Sequence, residues 1–303
     1  MKKILLVIDE FGWAFHNHAI QIKERLSDSF DFKIVDRKEN IQNLKNDFDL
    51  FFVFDPIPLK YGYPPKNKTI MSLRCQFLYE QHPQGAIGLY KNGFAGRCVS
   101  IEDKCKSLIV LNNNQYKEFN PFVESLYKIS HGVNENAFND PSERVLDSNN
   151  VRVGVVGRDS ENKGFGAVKE VIESMKGFSL SHAGYNGGKK INHNDMPNFY
   201  KNIDIYVCFS KSEAVNNGLL EAGAMGVPVI STRSGASEEI INNGVNGYII
   251  NRDKDDLRKA LKDIAIQEKY IDFRRNIYKT IHDNWTWRKK IQEYKDMFNK
   301  EII

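Results

Sequence analysis

Short, unbroken apolar runs constrain this chain more than any other feature of its sequence. Ile4–Ile8, Leu50–Phe54, Val151–Val156 and Ile205–Phe209 are each five or six residues long and almost wholly apolar. A run that short, apolar towards both sides, fits a strand covered on both faces of a parallel sheet. Phe32–Asp36, Thr69–Leu73, Lys106–Leu111, Leu126–Ser130, Ser179–Gly184 and Val227–Ile230 extend the series. Between them lie stretches with helix formers and helical spacing: Ala14–Ser27, a short one near Ile41–Lys45, Phe165–Met175, Met196–Tyr200, Gly218–Ala224 and Lys254–Ala265. Strands alternating with helices predict an α/β fold built on parallel sheets. At 303 residues there is material for two such domains. The pattern restarts at Val151 after the polar stretch Asn139–Asn150, so the expected division is 1–138, a linker at 139–150, 151–285, and a terminal helix over 286–303.

Composition narrows the class. Apolar content of 41% and charge of 27% fit a soluble globular protein. Met1–Asp9 begins like a signal peptide, but its apolar run is too short, and no stretch approaches the ~18 apolar residues that span a bilayer. The expected location is cytoplasmic, with peripheral attachment to the inner face of a membrane left open. Cys75, Cys98, Cys105 and Cys208 show no Cys-x-x-Cys pair and no histidine at ligand spacing, which predicts reduced thiols and no structural zinc. Basic and acidic residues balance over 1–147, so the net charge of +4 resides in 148–303. That is no nucleic-acid footprint, but it suits a pocket for an anionic ligand.

The chemistry concentrates in Ser210–Ile230, read as a loop, a helix and the next strand. A loop leaving the carboxyl end of a parallel strand into a helix is where open α/β sheets bind ligands. The helix start, with Asn217, Gly218 and Leu219, offers backbone N–H groups to an anion, and Gly218 allows close approach. Glu213 and Glu221 lie eight residues apart in this stretch. Carboxylates beside a phosphate fit a ligand that also offers hydroxyl groups, which describes a nucleotide sugar. The plainer alternative makes Glu213 a solvated loop residue and Glu221 a complement to the helix dipole. Upstream, Gly157–Gly164 sets Arg158 and Lys163 beside a strand end, a fork of donors and a point charge suited to one diphosphate. Gly12 ends the first strand in a turn, either plain or open to close approach. His16 and His18 follow on the first helix; exposed positions are the default expectation, with the domain cleft as the alternative.

The constellation Glu213, Glu221, Ala222, Ala224, Gly226, Pro228 and Val229 resembles the Glu-x7-Glu signature of retaining GT-B glycosyltransferases of the GT4 family, glycosyl transferases group 1. Gly157-Arg158 with Lys163-Gly164 resembles the family's Gly-Arg…Lys-Gly element, and His131-Gly-Val-Asn134 its Gly-Val-Asp turn. Asn243–Gly247, with Glu239 upstream, also fits, as does Asp204, read as structural rather than metal-binding. The likeness rests on motifs over 151–303 and on pattern alone over 1–150. It implies the GT-B architecture: two Rossmann-like domains facing across a cleft, the first on the acceptor side and the second binding the nucleotide sugar, with the last helix crossing back.

By that resemblance Arg158 and Lys163 hold the diphosphate and Glu221 the ribose. Glu213 is the catalytic carboxylate at the transferred sugar, and Gly12, Asn217, Gly218 and Leu219 complete the donor site. Neither a cofactor nor a metal is expected. The family often has a histidine after the fourth strand; here that place holds Arg74, with His82 eight residues on. Arg74, His82 and His131 are therefore candidates for the acceptor side or cleft, against a surface salt bridge for Arg74 and a simple turn for His131. The implied reaction transfers a sugar from a UDP-linked donor to an acceptor hydroxyl with retention of configuration. A glycan, lipid-linked or small-molecule acceptor, or a modified DNA base, all remain open. A nucleotide-sugar 2-epimerase and a non-catalytic nucleotide-sugar binder are the competing readings. The loops Arg74–Gly96 and Tyr185–His193 would decide base, sugar and acceptor.

Overall fold

The structure, a computed structural model, describes residues 1–56, 59–74, 104–184 and 190–302. His82, with the segment that follows Arg74, and residues 185–189 lie outside the described residues. The chain divides into two units, one of Met1–His131 with Lys290–Ile303 and one of Gly132–Lys289.

In the first unit β1 (Lys2–Ile8), β2 (Phe30–Asp36), β3 (Leu50–Phe54), β4 (Thr69–Leu73), β5 (Ser107–Val110) and β6 (Leu126–Lys128) form one sheet in the order β2-β1-β3-β4-β5-β6. Every neighbouring pair is parallel, with Lys2 opposite Phe30 and Ile4 opposite Leu50. Burial on both faces explains the unbroken apolar runs: Ile4–Ile8 and Leu50–Phe54 are fully buried. Helix α1 (Ala14–Leu26) turns His18, Ala19, Ile22 and Leu26 inward. The stretch expected as a short helix near Ile41 is a single 3₁₀ turn, Ile41–Leu44. Helix α2 (Asn113–Phe119) is capped by Asn112, whose side chain accepts from Gln115 N at 2.9 Å.

The second unit repeats the plan. β7 (Val151–Val156), β8 (Phe178–Ala183), β9 (Ile205–Cys208), β10 (Val229–Thr232) and β11 (Gly247–Ile250) lie in the order β11-β10-β9-β7-β8, all parallel. In both sheets the first strand lies one in from an edge, with its successor on the outer side and the third strand on the inner side. That is the doubly wound order, with a reversal point beside the first strand. The helices are α3 (Phe165–Glu173), α4 (Met196–Lys201), α5 (Asn217–Ala224), α6 (Ser237–Ile240), α7 (Lys254–Ile264) and α8 (Gln267–Asn284). From Gly218 to Ala224, α5 is buried, and a Cβ on Gly223 would come within 2.8 Å of Ile281 and 2.9 Å of Ile277 in α8. Small residues in this run let two helices touch.

Residues 139–150, read from sequence as a linker, lie within the second unit. Arg144 donates to the carbonyls of Lys201 at 3.1 Å and Tyr200 at 3.4 Å, and pairs with Asp140. Leu146 enters the core beside Val151 and Val153. Asp204, also read as structural, receives Arg152 N, Nε and Nη2 at 2.7–2.9 Å, tying the starts of β7 and β9.

The last helix, α9 (Trp287–Glu301), returns to the first unit. Phe298 sets its ring 5.7 Å from Phe30 and 5.8 Å from Phe52, and Glu301 accepts from Tyr127 at 2.6 Å. Among the described residues no helix is long and apolar enough to cross a membrane.

Candidate functional site

In a doubly wound sheet the ligand crevice lies beyond the carboxyl ends of the strands at the reversal point. In the second unit that point is between β7 and β9. The loops leaving these strands carry Gly157–Gly164 and Phe209–Asn216.

Glycine is required at the mouth of the first loop. Gly157 has φ +129°, and its N–H donates to the Ala183 carbonyl at 2.9 Å. Gly164 has φ +66°, and a Cβ there would stand 2.6 Å from the Phe209 carbonyl oxygen. Only a bare backbone lets the two loops approach so closely. They are then zipped together. Lys211 N donates to the Asn162 carbonyl at 2.8 Å, and Asn162 Nδ2 to the Ser212 carbonyl at 3.2 Å. Lys211 pairs with Glu161, and Arg252 Nε reaches the Phe209 carbonyl at 3.1 Å.

At the centre of this zip Lys163 forms an ion pair with Glu213 Oε1, which also accepts from Ser210 Oγ at 2.6 Å. The two side chains keep only 27% and 13% of their surface exposed. Glu213 is thus a paired, largely buried carboxylate rather than a solvated loop residue. Arg158, by contrast, is exposed.

Glu221 lies deeper. Its carboxyl is buried on α5, and Oε2 accepts from the Tyr200 hydroxyl at 2.8 Å. His193 Nδ1 stands 3.8 Å from Oε1. Burial pushes the Glu221 carboxyl up to about 7, with the Tyr200 hydroxyl pulling the other way, and burial also lowers His193. A group so enclosed is more than a complement to the helix dipole.

The start of α5 is capped by Asn216, whose Oδ1 accepts from Leu219 N at 2.8 Å and from the Tyr206 hydroxyl at 2.9 Å. The Leu219 amide therefore already has a partner within the helix start. A Cβ on Gly218 would lie 2.3 Å from the Tyr206 hydroxyl, so packing alone demands a glycine there.

The remaining candidates belong to the first unit. Gly12 has φ +83°, and its N–H donates to His16 Nδ1 at 3.1 Å; nothing lies within 4 Å of an added Cβ, so the turn and not packing requires it. His18 is buried, which corrects the expectation of an exposed helical histidine, and its ring stacks on His131 at 4.2 Å. His131 is buried as well. Arg74 is not in a surface salt bridge. It is 8% exposed, approaches His18 Nδ1 at 3.0 Å, donates to the Tyr294 hydroxyl at 2.9 Å, and lies over the Phe54 ring at 4.7 Å. The aromatic strand β3 and the returning α9 enclose this cation, two partners that lie far from it in the chain.

Lys163, Glu213 and the α5 start are thus brought together in the second unit, and Gly12, Arg74 and His131 belong to the first. Tyr200, Ser210, Asn216 and Asn162 escaped the sequence reading, and His193 entered it only as the end of the loop Tyr185–His193. Asn216 carried a legible signal, an N-cap residue before a helix. The others depend on which loops and helices become neighbours.

Residues 136–266 match the family model described as Glycosyl transferases group 1. A "Probable sucrose-phosphate synthase" of Thermosipho melanesiensis is 31% identical over 103 residues, which cover 34% of this chain and 24% of that protein. The chain thus spans about a quarter of that curated relative's length. Among solved structures, sucrose-phosphate synthase from Thermosynechococcus elongatus superposes with a TM-score of 0.76 at 13% identity, covering 99% of both chains. Anabaena HepE in complex with UDP and glucose gives 0.72 at 12% identity, over 99% of this chain and 100% of that one. At such identities the likeness is one of fold. Residues 136–266 of this chain are thus similar to the glycosyl transferases group 1 family, and its two parallel-sheet units share the GT-B fold of these solved structures.

Proposed function

We propose that this protein transfers a sugar from a UDP-linked donor to an acceptor hydroxyl with retention of configuration, without a metal ion. The observation that carries the reading is the cluster of Lys163, Ser210, Glu213 and Glu221 at the reversal point of the family-matched unit. Lys163 and Arg158 meet the donor's diphosphate, a point charge and a fork on adjacent turns. Glu221 accepts from the ribose hydroxyls. Glu213 accepts from a hydroxyl of the transferred sugar and orients its reacting face. HepE, solved with UDP and glucose, shares this fold and supports UDP as the nucleotide to test first.

In the reaction the bond between the anomeric carbon and the diphosphate oxygen breaks, and its electrons stay with the diphosphate. The acceptor oxygen bonds to the anomeric carbon from the same face, and its proton passes to the departing phosphate oxygen. The two cations stabilise the charge that develops on the leaving group, which is where preorganised electrostatics act most strongly.

Thermal stabilisation by a panel of nucleoside diphosphates and nucleotide sugars, with diphosphate release followed alongside, tests the reading. UDP and one UDP-sugar should raise the melting temperature, release should persist in EDTA, and the product's anomeric configuration should match the donor's. No stabilisation by any member of the panel would overturn the proposal. Full transfer by Glu213→Gln would remove Glu213 from its role.

A further inference from the structure

Lys163 serves two masters in this site. The proposed function assigns it to the donor's diphosphate, yet its ammonium is paired with Glu213, the carboxylate assigned to the sugar. We propose that the Lys163–Glu213 pair is an exchange latch that favours a complete nucleotide sugar over the bare nucleoside diphosphate; the inference rests on the function proposed above.

A diphosphate drawn to Lys163 competes with Glu213 for its charge, and one that takes the ammonium outright displaces the carboxylate. Glu213 then keeps the Ser210 hydroxyl at 2.6 Å but loses its counter-charge, with 13% of its side chain exposed to water. A largely buried carboxylate stripped of a partner is unfavourable. A donor's sugar hydroxyls supply new partners at once. A bare nucleoside diphosphate supplies none, so it competes with Glu213 for one cation. After transfer the sugar is gone, and the returning carboxylate helps expel the remaining diphosphate.

The loops cannot ease this competition by separating. Lys211 N to the Asn162 carbonyl at 2.8 Å, Asn162 Nδ2 to the Ser212 carbonyl at 3.2 Å, and the approach of Gly164 to the Phe209 carbonyl hold them together. Glu221 stands outside the latch, since its carboxyl accepts from Tyr200 at 2.8 Å and is assigned to the ribose, which UDP and a UDP-sugar share.

Calorimetric titration of the full chain with UDP and with UDP-glucose tests the latch. Glu213→Gln should tighten UDP roughly tenfold, the scale of a charge-assisted hydrogen bond, while leaving UDP-glucose unchanged or weaker. Glu161→Gln is the control, since it neutralises a carboxylate on the same loops that pairs with Lys211 instead. It should leave both constants within about twofold, the worth of an exposed pair. Equal tightening by the two variants would reduce the effect to bulk charge and overturn the latch. So would wild-type binding of UDP that Glu213→Gln does not tighten, and in that case the proposed function would survive. Failure of the wild type to bind either probe would sink both. Should Glu213→Gln not fold, Ser210→Ala decides: leaving Lys163 as the main partner of Glu213, it should weaken UDP more than UDP-glucose, and an equal effect on both overturns the latch.

Discussion

The two units share a strand order and a reversal point, yet they employ the carboxyl ends of their strands differently. In the first, the charge at that edge is consumed internally. Arg74 is enclosed by Phe54, His18 and Tyr294, and its N–H donates to Asp55 Oδ1 at 2.9 Å. Asp55 itself sits at φ +98°, a backbone conformation that non-glycine residues rarely hold. In the second, the charge stands on glycine-bounded loops, with Lys163 and Glu213 still partly exposed. One topology thus yields a cation that fastens a helix and a cation placed for exchange. Strand order sets where a ligand would lie; loop chemistry sets whether one can be held.

Substitutions can break this comparison or sharpen it. The largest expected effect is on pH dependence in the second unit. Glu221 is raised to about 7 from an ordinary 4.5, so the folded state binds its proton more tightly than the unfolded chain does. That contribution is fully present below the ordinary value and is lost as pH rises through about 7, a change of roughly 3 kcal/mol. Denaturant titrations between those limits should show stability falling, and Glu221→Gln should flatten the slope. A slope unchanged in the variant would place the titration elsewhere.

Next comes the rate. Lys163→Ala should lower transfer about a hundredfold, the scale of losing one preorganised stabilising group. Activity assays at saturating donor check this, and an unimpaired variant would leave the second unit's loop cation without its assigned role. The smallest effect lies in the first unit. Tyr294→Phe removes the hydroxyl that accepts from Arg74 and should cost about 1 kcal/mol of stability. UDP affinity should stay as in the wild type. A loss of UDP binding would mean that the contrast between the units is drawn wrongly.

Much of this was legible in the sequence, and the reasons differ by element. Ile4–Ile8 and Leu50–Phe54 could be read as strands because burial on both faces leaves an unbroken apolar signature. Gly157, Lys163, Glu213 and Glu221 could be singled out because their spacing is local to two loops and one helix. The pairing of Lys163 with Glu213 could not be read, since it depends on β7 and β9 becoming neighbours across fifty residues. The burial of His18 and Arg74 was hidden for the same reason. Their enclosure comes from His131 and from Tyr294 on α9, and no spacing rule reaches 220 residues along the chain. Gly218 shows another limit: a glycine suggestive of ligand approach also makes room for the Tyr206 hydroxyl.

The return of α9 bears on how the protein is made. Gly132 and Val133 lie against Thr286 and Trp287, where Val133 N donates to the Trp285 carbonyl at 2.8 Å and Trp287 N to the Val133 carbonyl at 2.9 Å. The second unit is therefore one continuous stretch whose two ends are pinned together, so its folding closes a long loop but waits for no residue outside the stretch. The first unit is split. Its residues 1–131 are translated before the second unit, yet Arg74 and Tyr127 must wait for Tyr294 and Glu301, translated after it. The second unit can therefore be completed before the first.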